Sequence, residues 1–162
     1  MSRMLGTIQR LALLGLALTP SLAFAADEVN VTTGATAAGP GLAVHGYDVV
    51  AYFSDAAPTR GSAEFAAVHG GATYQFANAA NLAAFEKAPE KYAPAYGGFC
   101  AYGASVGKKF DGDPYFWKIE AGRLFLNLNA EIQKAFDKDV AGAIVKADRN
   151  WREIEHRPVA DL

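Results

Sequence analysis

Cysteine is nearly absent from this sequence, since Cys100 is the only one among 162 residues. A single thiol forms no intramolecular disulfide, so the fold has to rest on its hydrophobic core. It also excludes a CxxC metal motif and, without a second protein to supply the resolving thiol, a disulfide oxidoreductase. Three roles stay open for Cys100 itself: a metal ligand, a reactive thiol or an inert core residue.

The sequence also has no excess of basic residues. The chain has 15 Lys and Arg against 17 Asp and Glu, which gives a formal net charge of −2. Because nucleic acids and anionic membrane surfaces bind basic proteins, we expect neither as a partner. The sequence carries no pattern for a Ser-His-Asp triad, a glycine-rich phosphate loop or a paired-carboxylate site, so no enzyme class is predicted.

The apolar run near the N-terminus is too short for a membrane anchor. Leu11–Leu18 falls well below the roughly 20 residues that a transmembrane helix needs. Arg3 and Arg10 precede the run, and the small-x-small sequence Ala23–Ala25 follows it. These features predict a cleavable signal peptide over residues 1–25, a mature chain that starts at residue 26, and export to a bacterial periplasm.

The remainder of the chain divides into a leader and one domain. Residues 26–41 are rich in Thr, Ala and Gly without an apolar period, which predicts a flexible leader. Residues 42–162 are long enough for one domain with its own core. Its first element is predicted to be a strand over Asp48–Phe53, because this run combines β-branched and aromatic residues.

Patterning predicts two β-hairpins, a capped helix, a glycine-rich loop and a long C-terminal helix. The fold class is therefore α+β, a small single domain. The hairpins are Glu64–His69 with Ala72–Phe76 and Tyr115–Glu120 with Arg123–Asn129; Asn78 caps a helix over Ala79–Lys87, the loop is Tyr96–Gly103, and Asn129 caps one helix over Ala130–Glu155.

Six short motifs in the domain point to one family. They are Gly46–Phe53 (GYDVVAYF), Tyr74–Asn78 (YQFAN), Ala80–Leu82 (ANL), Phe85–Tyr92 (FEKAPEKY), Tyr96–Ala101 (YGGFCA) and Leu126–Asn127 (LN). Together they resemble the YHS domain, a module of metal-handling proteins, and more specifically the exported bacterial group of YHS domain-containing proteins. The resemblance runs from about residue 42 to the C-terminus and implies a YHS-like fold.

The sequence departs from the family at the residues that bind metal. YHS and related modules typically carry aromatic-Cys-Ser-x-x-Cys where the strand leads into the helix, so that two thiolates can face one ion. Here the two cysteine positions hold Ala77 and Asn81. Neither side chain replaces a thiolate, so a metal site has to be built from other residues.

The resemblance implies a periplasmic protein with a role in metal binding or metal stress. We expect Cys100 and His45 to be the ligands, because both belong to glycine-flanked loops. A thiol with an imidazole suits copper first and zinc second. Two alternatives stay open: a non-catalytic interaction or structural module that has lost the YHS metal site, and a single-thiol redox protein.

Overall fold

The computed structural model describes residues 27–32 and 41–162; the predicted signal peptide lies outside the described residues. The described part is a small α+β domain, as predicted. Its strands are β1 (Val31–Thr32), β2 (Leu42–Ala43), β3 (Ser62–His69), β4 (Ala72–Phe76), β5 (Asp113–Glu120) and β6 (Arg123–Asn127). Its helices are α1 (Ala51–Ser54), α2 (Ala79–Lys87), α3 (Pro89–Tyr92), α4 (Ala101–Ser105), α5 (Ala130–Asp137) and α6 (Val140–Ile154), and 3-10 turns lie at Val44–Gly46, Ala95–Gly98 and Val159–Asp161.

The strands form two small sheets. The first has the order β1-β2-β4-β3, in which β2 and β4 are parallel and the other neighbours antiparallel; the second is the β5-β6 hairpin. Both predicted hairpins are confirmed. Gly70 and Gly71 turn the first with φ of 57° and 77°, the positive values that a two-residue turn of this kind requires.

Two hydrophobic clusters form the core. One lies between the first sheet, α2 and the β5-β6 hairpin, and its largest fully buried side chains include Tyr52, Phe76 and Phe85. The other joins α4, β6, α5 and α6 around Phe125 and Phe136. Phe136 is fully buried, and Val140, Ile144 and Trp151 pack against the same cluster. In residues 27–32 and 41–162, no helix combines the length and the apolar character needed to cross a membrane.

The predicted strand over Asp48–Phe53 is wrong. Residues 49 and 50 form a turn, and α1 begins at Ala51. The Asp48 carboxylate accepts hydrogen bonds from the backbone N–H groups of Val50, at 2.8 Å, and Ala51, at 3.3 Å, which fixes the start of this helix. The run is apolar because it is buried on all sides, and a short buried run does not distinguish a strand from a helix.

The predicted single helix over Ala130–Glu155 is two helices. The chain leaves helical geometry at Asp139, where φ is −152° and ψ is 70°, and the Asp139 side chain caps α6 by accepting from Gly142 N at 2.9 Å. The apolar spacing continues across this break, so periodicity alone does not reveal it. The predicted loop Tyr96–Gly103 is also shorter than expected, because α4 begins at Ala101.

Part of the predicted flexible leader belongs to the domain. Val31 pairs with Ala43, so that β1 extends the first sheet. Asn30 N donates to Gly97 O at 2.8 Å, and Val29 packs against the first core cluster. These contacts fix residues 27–32; residues 33–40 lie outside the described part of the chain.

Candidate functional site

Ala77 and Asn81, the positions where the YHS resemblance would place cysteines, both donate to a buried carboxylate. Asp48 Oδ2 accepts from Ala77 N at 2.9 Å and from Asn81 Nδ2 at 2.6 Å. Asp48 Oδ1 accepts from the start of α1, and the side chain is fully buried. A buried carboxylate requires such donors to offset the loss of its hydration. We call this network, in which four N–H groups surround one carboxylate, the Asp48 hub.

Cys100 is buried and hydrogen-bonded at the first turn of α4. Its side chain is 1 % exposed, and its Sγ accepts from Gly103 N at 3.3 Å. The thiol also lies 3.6 Å from Asn127 Oδ1, to which it donates. Burial raises the pKa of the thiol, although nearby backbone N–H groups act in the opposite direction. The protonated thiol is therefore the favoured form at neutral pH, whereas metals and electrophiles react with the thiolate.

Asn127, which sequence reasoning did not single out, organises the surroundings of the thiol. It is fully buried, and its Oδ1 also accepts from Tyr102 N at 3.1 Å. Its Nδ2 donates to Gln133 Oε1 at 3.0 Å, which links β6 to α5. The only signal for Asn127 in the sequence was its place in the last of the six motifs. Of the three roles open for Cys100, this network favours the buried structural residue.

His45 lies on a strained turn. Val44, His45 and Gly46 have φ of 48°, 51° and 77°, all in the left-handed region. For the β-branched Val44 this conformation is costly, and strain of this kind is concentrated at functional sites. The turn places His45 Nε2 at 2.9 Å from Asp111 Oδ1, with about a third of the imidazole and half of the carboxylate exposed. Asn30 Nδ2 donates to the same carboxylate oxygen at 2.6 Å.

A continuous polar and aromatic network extends from this histidine. Arg60 Nη1 donates to His45 O at 3.2 Å, and the guanidinium lies 4.6 Å from the ring centre of Tyr47. The Tyr47 hydroxyl donates to the Tyr115 hydroxyl at 2.8 Å. Tyr115 is 62 % exposed. We call Asp111, His45, Arg60, Tyr47 and Tyr115 the His45 face.

The two residues predicted as metal ligands make separate contacts. The His45 imidazole bonds to Asp111, whereas the Cys100 thiol bonds to Gly103 and Asn127. The link between them runs through the backbone, because Cys100 N donates to the carbonyl of Phe110, the residue before Asp111. In the described ranges, no three or more His, Cys, Asp and Glu side chains are grouped to hold a metal ion.

Comparisons with family models, curated proteins and solved structures found no match for this chain. The YHS resemblance therefore rests on the six motifs quoted above.

Proposed function

We propose that this chain is an exported, non-catalytic binding module of the YHS type that recognises a periplasmic protein through the His45 face. The observation that carries the proposal is the left-handed conformation of Val44 and His45. Such residues cost on the order of 1–3 kcal/mol each and persist where the surrounding structure imposes them. Here the strained turn holds an imidazole, partly exposed, in a network of bonded side chains.

The composition of the His45 face supports protein recognition. Tyrosine and arginine dominate the energetics of protein interfaces, because they combine a large contact area with hydrogen-bonding groups. In this face Arg60 stacks on Tyr47, and Tyr115 projects into solvent while its hydroxyl is held. Side chains held in place before binding lose less conformational entropy on association.

The hydrogen bonds of the Asp48 hub and of the Cys100 thiol support the proposal of a module without a thiolate metal site. The N–H groups at the two family cysteine positions are occupied by Asp48, and the one thiol is occupied by Gly103 and Asn127. Recruiting the Cys100 thiol as a ligand would break its buried hydrogen bonds, and each partner left unpaired would cost about 1–3 kcal/mol.

Site-specific photo-crosslinking in the exporting cell tests the proposal. A photoreactive amino acid in place of Tyr115 should give a discrete adduct, and Arg60→Ala should remove it because Arg60 orders both His45 and Tyr47. The matched control places the same probe at Val145, an exposed position of α6 outside the face. An absent adduct at 115, or the same adduct at 145, would contradict the proposal.

A second candidate is binding of copper or zinc by His45, and one observation favours it. Asn30 donates to Asp111, and Asp111 orients the His45 imidazole, which is the outer arrangement that commonly supports a metal-binding histidine. The carboxylate engages Nε2, so Nδ1 is the nitrogen available to an ion. The charge on Asp111 would also favour a bound cation.

Competition titrations of copper(I) and zinc against a chelator separate the two candidates. Loss of affinity in His45→Ala, together with a weakening of about 10–100-fold in Asp111→Asn, would support a metal site at His45. Loss in Cys100→Ser would instead support the thiol ligand expected from the sequence. If the parent protein binds neither ion, the metal candidate fails and the protein-binding proposal stands on its crosslinking test.

A further inference from the structure

We infer that Asp27–Thr32 is a strap whose attachment governs the local opening of the segment Tyr96–Cys100, and with it the access of small electrophiles to the buried Cys100 thiol. The strap crosses the domain next to this segment and is bound at both ends. Opening of the segment requires no partner at the His45 face, although the strap contacts Asp111 of that face.

One end of the strap is anchored by a buried lysine. Lys109 is 4 % exposed, and its Nζ donates to Asp27 O at 2.6 Å, Glu155 O at 2.8 Å and Arg157 O at 2.8 Å. The ammonium therefore joins the strap to the C-terminal end of α6, where carbonyl groups and the helix dipole favour a cation. Val159 N adds a bond to the Asp27 carboxylate at 2.8 Å.

Between this anchor and β1, the strap lies directly on the segment before Cys100. Asn30 N donates to Gly97 O at 2.8 Å, and Asn30 Nδ2 contacts Gly98 O at 3.3 Å. A Cβ on Gly97 would collide with the carbonyl oxygen of Glu28, so the strap fits only because residue 97 is glycine. Tyr96 has a φ of 55°, which a residue other than glycine keeps only where surrounding contacts hold it, whereas Gly97 and Gly98 adopt positive φ without strain.

The strap also contacts residues 109–111, the segment that pairs with the backbone of Cys100. Cys100 N donates to Phe110 O at 2.8 Å. The two neighbours of Phe110 are both bound to the strap: Lys109 through Asp27 O, and Asp111 through Asn30 Nδ2. The backbone before Cys100 and the backbone paired with it are thus tied to the same strap. Because residue 100 is 1 % exposed, a reagent reaches the thiol only after the structure around it opens, and separation of these segments provides that opening.

Native-state labelling of Cys100 with a maleimide tests this inference in the chain that begins at residue 26. Asn30→Ala removes the side-chain bonds of the strap to Gly98 and Asp111, so labelling should accelerate about tenfold. Lys109→Met should accelerate labelling as well, through the other end of the strap. If Lys109→Met does not fold, Asn30→Ala alone decides the test.

Asn78→Ala is the matched control. It removes the N-cap of α2, whose amide oxygen accepts from Asn81 N at 2.9 Å, and so lowers global stability without touching the strap. The labelling rate of Asn78→Ala should equal that of the parent. The labelling rate of Asn30→Ala should change little when urea is added at low concentration, because local opening exposes little new surface. An unchanged rate in Asn30→Ala, or equal acceleration in both asparagine variants, would overturn the inference.

Discussion

The Asp48 hub makes a sharp prediction for the variant Asp48→Asn. The substitution keeps the shape of the side chain but replaces one acceptor oxygen by an NH₂ donor. In the parent protein both oxygens face donors: Oδ1 faces Val50 N and Ala51 N, and Oδ2 faces Ala77 N and Asn81 Nδ2. In either orientation, the NH₂ group of the new amide therefore faces two N–H groups that need an acceptor.

The size of the stability loss is set by the less costly of the two orientations of the new amide. With its NH₂ group towards α2, the new amide can donate to Asn81 if that side chain turns its oxygen inward, but Ala77 N then loses its acceptor. An unsatisfied backbone donor costs about 1–3 kcal/mol, and the bonds that remain lose the strength that the negative charge gave them. We expect the free energy of unfolding to fall by about 2–3 kcal/mol.

Urea denaturation followed by circular dichroism measures this change at neutral pH. Asp55→Asn is the matched control, since Asp55 is exposed at the end of α1 and its variant should stay within about 0.5 kcal/mol of the parent. Asn81→Ala should cost about 1.5–3 kcal/mol, the usual value of a hydrogen bond to a charged group. If Asp48→Asn also stays within the range of the control, the hub contributes nothing and the reasoning fails.

Three further predictions concern export, the core and pH. Intact-mass analysis of the exported protein should show a chain that starts at Ala26, and a retained Met1 would refute the predicted cleavage. Phe136→Ala should lower the free energy of unfolding by about 3–5 kcal/mol in a thermal melt, because Phe136 is fully buried. Burial raises the pKa of the Cys100 thiol above its ordinary value and that of Tyr74 from 10.0 to about 12. Both groups are protonated in the folded state at neutral pH, so stability should be retained there and lost as the pH rises through the range in which the unfolded thiol and phenol ionise. Urea titrations at a series of pH values measure this loss of stability, and Cys100→Ser should lack the part that comes from ionisation of the thiol.

The predictable parts of the fold are those specified by neighbouring residues. The Gly70-Gly71 turn and the caps Asn78 and Asn129 depend on contacts within a few positions, and all three were predicted correctly. The break before α6 also has a local signal, because Asp139 stands three residues before Gly142, whose N–H it accepts. The continuous apolar spacing concealed that signal.

The site could not be predicted in the same way, because its bonds join distant parts of the chain. Asp111 is 66 residues from His45, and Asn81 is 33 residues from Asp48. Composition and spacing identify such residues as candidates, but the partner of each follows only from the fold. The role of Cys100 depended in addition on burial, which a lone cysteine in a glycine-rich motif does not reveal.

The hub also predicts the effect of placing cysteines at positions 77 and 81, where the YHS resemblance would put metal ligands. The backbone N of Ala77 and the side-chain Nδ2 of Asn81 both donate to the same oxygen of Asp48, so positions 77 and 81 lie beside the same buried carboxylate. Without a metal, Ala77→Cys with Asn81→Cys should be less stable than the parent, because replacing Asn81 removes its hydrogen bond to the Asp48 carboxylate.

Zinc should reverse this loss, because two thiolates and one carboxylate are suitable zinc ligands and binding to the folded state alone raises its stability. Thermal melts of the double variant with zinc and with a chelator measure the effect, and the parent protein under the same two conditions is the control. A melting temperature that zinc leaves unchanged in the double variant would show that the two positions do not face one site. A rise confined to the double variant would mean that this scaffold can be held together at the same place by a metal ion or by the carboxylate of Asp48.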